Sequence, residues 1–190
     1  MIRAIFLDVD GTLISFSTHE IPASALRALA QAHERGVRLF IATGRAANDL
    51  GPLEGIPYDG VVSLNGARCV ANDGRVVSLH PIPRADFERA LALSEEQDFA
   101  MGLELEEGVF VNRVTPDVER VAHMVAHPVP EQTDLRELFG RVECCQLCFY
   151  FDAETQRRVM TELPTLAASR WCPIFADVNV AGIDKAKFRN

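Results

Sequence analysis

The stretch Ile5-Phe6-Leu7-Asp8-Val9-Asp10-Gly11-Thr12-Leu13 constrains this chain more than any other. Three apolar residues lead into two carboxylates spaced i, i+2, followed by a glycine and a hydroxyl. A short apolar run closed by a turn signal reads as a buried parallel strand. Residues i and i+2 of a strand point to one side, so Asp8 and Asp10 share a face where the strand opens into a Gly-containing loop. Two carboxylates that close repel each other, and a proton on one or a cation between them relieves the repulsion. Mg²⁺ takes such hard oxygen ligands, with water and a substrate phosphate completing its shell. Asp-x-Asp alone has a plainer reading, an acidic turn after a strand. The full apolar-DVDGTL string at the N-terminus argues for a site.

Read as a whole, FLDVDGTL resembles motif I of the haloacid-dehalogenase-like (HAD) superfamily of phosphotransferases. The resemblance implies that Asp8 is the nucleophile, forming an aspartyl-phosphate, and that Asp10 is the general acid/base protonating the leaving oxygen. It implies Mg²⁺ as cofactor, held by Asp8 and Asp10. The chemistry is coherent without the family, since a carboxylate is a known covalent nucleophile toward phosphoryl groups. A second carboxyl within reach can serve proton transfer.

The chain has 190 residues, enough for one large domain or two small ones. Its charge is 19 − 27 = −8 with no basic run, which argues against nucleic acid as a partner. An anionic substrate must then be drawn by local cations. No apolar stretch is long enough to span a bilayer, and Met1-Ile2-Arg3-Ala4 runs directly into a strand without a signal peptide. Five cysteines without a secretory signal fit a reducing, cytoplasmic setting with free thiols.

After motif I, a polar loop (14–21) leads to Pro22 at a first helical turn, helical spacing of Leu26, Leu29, Ala30 and His33, and Gly36 as a stop. A strand over 37–42 completes a parallel βαβ unit. It ends in Thr43-Gly44-Arg45. Ligands of open α/β sheets bind outside the carboxyl ends of strands, so Thr43 is expected beside Asp8 and Asp10. Thr43 matches the motif II Thr, and TGR is the form seen in the Cof-type sugar-phosphatase branch. A third strand over 59–64 ends in Asn65-Gly66-Ala67, also like that branch. Asn65 keeps two readings: an amide donor to substrate, or a turn residue that tolerates the left-handed region. By resemblance Gly11, Thr12, Gly44, Arg45 and Asn65 are assigned to substrate binding. Asn72-Asp73-Gly74 closes a hairpin.

From about Pro81 the pattern changes to hairpins and helices. Expected here are a helix from Pro83, a hairpin over 101–111, a helix capped by Thr115-Pro116 and a short helix over 134–139. A strand over 144–151, a helix capped by Asp152 and strands over 170–176 and 178–180 follow. This α+β layer resembles the family's C2-type cap. Cys144-Cys145-x-x-Cys148 with His123-x-x-x-His127 has zinc-ligand types. Buried thiols are favoured instead, with Cys144 and Cys148 on one strand face and Cys145 on the other. Glu104, Glu106 and Glu107 read as a solvated hairpin tip, and Trp171 and Phe175 as cap core.

Gly182-Ile183-Asp184-Lys185 matches the motif III region, whose Lys neutralises the nucleophile and the phosphoryl charge. Lys185 is therefore the third catalytic candidate after the aspartates, alongside Thr43. The acidic motif IV of the family has no counterpart after it. The expected fold is α/β: a HAD-like Rossmannoid parallel-sheet core, incomplete at the C-terminus, with an inserted α+β C2-type cap. The core takes 1–82, the cap 83–180 and a returning core segment 181–190. The resemblance implies a Mg²⁺-dependent phosphatase of small phosphorylated metabolites, or alternatively an inactive remnant that binds a phospho-ligand or partner protein. Without the flanking motif IV strand, residues 2–7 become an uncovered core edge. Three ways to hide it are expected: dimerisation, docking of a cap or C-terminal segment, or association with a missing fragment.

Overall fold

Alternation of short apolar runs with helical spacing yields, in order, β1 (Ala4–Leu7), α1 (Ala23–Glu34), β2 (Arg38–Ala42) and β3 (Gly60–Ser63). The hairpin β4 (Arg68–Ala71) and β5 (Val76–Leu79) follows. The computed structural model describes residues 2–15, 17–18, 20–51, 53 and 55–185. The chain divides into two units, 1–79 with 183–190 and 80–182.

In the first unit the sheet order is β1-β2-β3-β4-β5. The first three strands are parallel and the last two antiparallel. The crossover helix α1 stops because Gly36 adopts φ +82, where an L side chain would be strained. The Val37 N–H then reaches the Ala32 carbonyl (3.1 Å) and the Gly36 N–H that of His33 (2.9 Å), closing a Schellman cap. Pro22 stands at the N-cap itself, one position before the first helical turn. Val9, Leu13, Leu29, Leu39, Ile41 and Val61 form the buried core beneath the sheet. The Asp59 carboxylate accepts the Leu39 N–H at 2.8 Å and ties the start of β2 to the loop before β3. Among the described residues β1 is an edge strand, with Ile2 71% and Phe6 42% exposed.

The second unit holds α2 (Arg84–Glu96), β6 (Ala100–Leu105), β7 (Gly108–Val111), α3 (Pro116–Met124) and β8 (Glu131–Gln132). It continues with α4 (Leu135–Phe139), β9 (Gln146–Tyr150), α5 (Ala153–Thr161), β10 (Leu166–Cys172) and β11 (Phe175–Val180). These strands form one sheet in the order β10-β11-β9-β6-β7-β8. Alternate strand residues feed two cores. Leu103, Leu147, Phe149 and Val178 pack with Phe87, Leu135, Phe139 and Val159 of the helices α2, α4 and α5. Cys148, Tyr150, Val111 and Phe175 pack with Val118 and Val121 of α3. The caps are local chemistry: Thr115, Asp134 and Asp152 side chains each accept first-turn N–H groups.

Several expectations for this unit are corrected. The last two strands run 166–172 and 175–180, with the break at Pro173-Ile174 and not at Asp177. Asp177 lies in the strand, paired with Ser169 on one side and Cys148 on the other, and the Gln146 amide donates to its carboxylate at 3.2 Å. Glu104 is not at the hairpin tip: it lies within β6 and accepts from the same amide at 2.6 Å, while Glu106 and Glu107 are exposed. Cys144 precedes β9 and packs with the Leu147–Phe149 face, opposite Cys148. Trp171 is 48% exposed and only Phe175 is core. The helix carrying His123 ends at Met124, and His127 lies beyond it.

Candidate active site

The parallel register sets Leu7 against Ile41. Asp8 and Thr43, just beyond the ends of β1 and β2, therefore emerge at the same edge of the sheet. After Asp8 the chain turns tightly. Gly11 takes φ +74 and donates its N–H to the Ile14 carbonyl at 2.9 Å, while the Leu13 and Ile14 N–H groups return to the Val9 carbonyl. Val9 is wholly buried and anchors the turn, leaving Asp8 half-buried and Asp10 exposed.

Each carboxylate has its own cation. The Lys185 Nζ donates to Asp8 Oδ1 at 2.8 Å, from the segment that returns to the first unit. The Thr12 hydroxyl lies 3.4 Å from Asp8 Oδ2, a long contact. Arg45 grips Asp10 at two points, Nε to Oδ2 at 3.0 Å and Nη2 to Oδ1 at 2.7 Å. The Asp10 carboxylate, first by hydrogen bonding, pushes the Arg45 guanidinium above its ordinary value. The four side chains are 29–43% exposed. Ion pairs this open contribute roughly 0–1 kcal/mol, so their effect is on orientation more than stability.

Thr43 is fully buried. Its hydroxyl accepts the Arg45 N–H at 3.1 Å, and its own N–H donates to the Val62 carbonyl at 2.8 Å. Thr43 thus fixes where Arg45 leaves the backbone. Asn65 sits in a one-turn 3-10 segment (Leu64–Gly66) with φ 55, so the left-handed turn reading is realised in its backbone. Its side chain lies close to Gly44: a methyl added there would stand 3.1 Å from Asn65 Oδ1. Gly11, Thr12, Asp8, Asp10, Thr43, Gly44, Arg45, Asn65 and Lys185 all belong to the first unit.

Two features had no sequence signal. One is the pairing of Arg45 with Asp10, a residue 35 positions away. The other is the close approach of Gly66, marked in sequence only as the glycine of Asn65-Gly66-Ala67, to the backbone of Asp184. In the second unit a buried polar group was also missed: Gln146 bridging Glu104 and Asp177, with Cys148 Sγ 3.8 Å from Glu104. Among the described residues no group of three or more close potential ligands combines His with Cys.

The chain matches the haloacid dehalogenase-like hydrolase family over residues 5–189. Among solved structures, BT1666 from Bacteroides thetaiotaomicron, studied among phosphatases of the haloalkanoate (HAD) enzyme superfamily, is 55% identical with a TM-score of 0.95. That match covers 98% of this chain and 70% of BT1666. BT4131, a HAD subclass IIB sugar phosphatase, is 30% identical with a TM-score of 0.84, covering 96% of this chain and 72% of its own. The Bacillus subtilis (strain 168) protein YkrA is 25% identical over 191 residues, 97% of this chain and 71% of YkrA. A match that runs from β1 to the lysine segment, on a fold shared this closely, establishes that the chain belongs to the haloacid dehalogenase-like hydrolase family.

Proposed function

We propose that this protein is a Mg²⁺-dependent phosphatase that hydrolyses a small phosphate ester, a sugar phosphate or similar metabolite, through an aspartyl-phosphate on Asp8. The observation that carries the reading is the Lys185–Asp8 contact of 2.8 Å beyond the end of β1. A carboxylate held by an ammonium at the carboxyl edge of parallel strands is a nucleophile already set beside a phosphoryl-binding cation. Kinship with BT1666 and BT4131 supports the phosphate-ester class, and the sugar-phosphatase name of BT4131 supports the substrate type.

An Asp8 oxygen attacks phosphorus, the bond from phosphorus to the leaving oxygen breaks, and Asp10 gives that oxygen its proton. Water then attacks the aspartyl-phosphate, Asp10 takes the water's proton, and inorganic phosphate leaves with Asp8 restored. Lys185, with Thr43 at the floor, holds the phosphoryl oxygens as charge builds on them. The donor set suits Mg²⁺, since Asp8 presents a half-exposed, hard carboxylate and a peptide carbonyl such as that of Asp10 is a hard oxygen donor. Asp8 and the Asp10 backbone carbonyl would hold the ion, which when bound supplies further neutralisation of phosphoryl charge. Five buried cysteines, none in a disulfide, suit a reducing compartment such as the cytoplasm. Among the described residues no helix is long and apolar enough to cross a membrane.

Phosphate release from a panel of sugar phosphates and aryl phosphates, with and without Mg²⁺, tests the proposal. Turnover should need Mg²⁺ and vanish in Asp8→Asn, where a nearly isosteric amide is a poor nucleophile. An Asp8→Asn protein that keeps most of the wild-type turnover would rule out the covalent route.

A further inference from the structure

Resting on the phosphatase reading, we infer that the turn Leu64-Asn65-Gly66 is the device that sets Lys185 relative to the phosphoryl-binding residues, and that Gly66 is its positioning residue. Three consecutive residues take left-handed conformations: Leu64 at φ 49, Asn65 at φ 55 and Gly66 at φ 101. The last is a glycine and Asn tolerates this region, but Leu64 is held where its side chain rarely goes. Such strain persists where surrounding structure over-determines it, and it gathers at functional sites.

The structure shows what does the holding. On one side the Leu64 N–H donates to the Arg45 carbonyl and the Asn65 N–H to the Thr43 carbonyl, both at 3.1 Å. The turn is therefore bolted to two residues just after β2, Thr43 and the Arg45 that grips Asp10. On the other side Gly66 faces the returning segment at backbone distance. A methyl added at Gly66 would stand 2.6 Å from the Asp184 carbonyl oxygen, 2.7 Å from its carbon and 3.2 Å from the Lys185 nitrogen. None of these atoms is the far end of a flexible side chain. The missing Cβ is what lets the segment seat where the Lys185 ammonium meets Asp8. The turn thus spans from Thr43 and Arg45 to Lys185, and fixes the separation of groups that are to hold one phosphoryl group.

Gly66→Ala should push the 183–185 segment outward and carry Lys185 off Asp8 while the sheet stays folded. Gly74→Ala is the control for backbone strain alone: Gly74 also has positive φ (+83) but nothing within 4 Å of an added methyl. Turnover of p-nitrophenyl phosphate should fall by about 100-fold in Gly66→Ala, as an ångström-scale misplacement of a catalytic group does. It should stay within about twofold in Gly74→Ala, where only strain is added. Calorimetric affinity for inorganic phosphate provides a readout independent of turnover. Lys185→Met and Gly66→Ala should each weaken it, and the double variant should be no weaker than Lys185→Met, since residues acting through one contact are not additive.

If Gly66→Ala does not fold, Gly66→Asn is read in its place, because Asn tolerates positive φ better and carries the same Cβ. If neither folds, Gly66 is a packing glycine and the proposal is overturned. Additive losses of phosphate affinity, or a folded Gly66→Ala protein with wild-type turnover, would overturn the seating of Lys185 and leave the phosphatase reading standing. A wild-type protein that neither binds phosphate nor hydrolyses any ester overturns both.

Discussion

Arg45 holds Asp10 by both carboxylate oxygens, at 3.0 and 2.7 Å, across the edge of the sheet. A fork-to-fork pair fixes direction as well as distance. If Asp10 is the acid/base, this contact would make Arg45 its orienting partner, an expectation set beside the substrate-binding role that the resemblance implies. Its own backbone is tied down by Thr43 and Leu64, so the grip rests on β2 and on the turn after β3.

Arg45→Met should lower kcat by about 10–100-fold, the range for a misaligned catalytic group, with little change in KM. Arg45→Lys should recover only part of the loss, since an ammonium makes one contact where the guanidinium makes two. Steady-state kinetics on one ester decides the matter. A raised KM at unchanged kcat would return Arg45 to substrate binding, the role implied by the Thr-Gly-Arg resemblance.

The second unit depends on the stacked pair Phe87 and Phe139, whose ring centres lie 4.0 Å apart with planes 5° from parallel. Phe87 is wholly buried. Phe87→Ala should cost about 3–5 kcal/mol, measured by urea unfolding. A loss below about 1 kcal/mol would mean that the site collapses around the deletion, against the low compliance expected of close-packed cores.

Burial raises the thiols. Desolvation takes Cys144 from its ordinary 9.0 up to about 12. Cys148 is pushed well up, first by desolvation and then by the Glu104 and Asp177 charges. A folded-state pKa above the unfolded one means that the native form keeps its proton while the unfolded chain loses it. The contribution to stability is therefore full below pH 9 and is lost as pH rises toward 12. Cys144→Ala should flatten that alkaline decline. Iodoacetamide at neutral pH should label none of the five buried thiols in the native protein and all of them in urea. Rapid labelling of Cys148 in the native state would contradict this.

The exposed β1 edge is a template for pairing. Ile2 and Phe6 project apolar surface there, and Phe6 stacks on Phe40 at 4.9 Å. The 190-residue chain should self-associate with rising concentration in sedimentation, and Ile2→Lys should weaken the association. A monomer at all concentrations, with the β1 amides exchanging freely, would end this expectation.

The legible parts of this protein are those whose physics is local. The Asp8-Val9-Asp10-Gly11 string sets a strand end and a tight turn because the strand period and one glycine suffice. Gly36, Thr115, Asp134 and Asp152 end or begin helices through contacts within a single turn. The chain order of strands and helices follows from apolar spacing for the same reason. The misread residues are polar ones whose partners come from elsewhere. Glu104 and Asp177 look like a hairpin tip and a strand break. They lie inside strands, and the Gln146 amide, 42 and 31 residues away, satisfies both carboxylates there. The site divides in the same way. Resemblance named Asp8, Asp10, Arg45 and Lys185 and implied that Lys185 neutralises Asp8, but that Arg45 grips Asp10, 35 residues away, was decided only in three dimensions. Gly66 was legible as the glycine of an Asn-Gly-Ala turn like that of the Cof-type branch; its approach to the Asp184 backbone, which leaves no room for a Cβ, was not. Strand period, capping and turn chemistry are properties of neighbours in sequence. Charge pairing and close backbone approach are properties of neighbours in space, and only the folded chain supplies those.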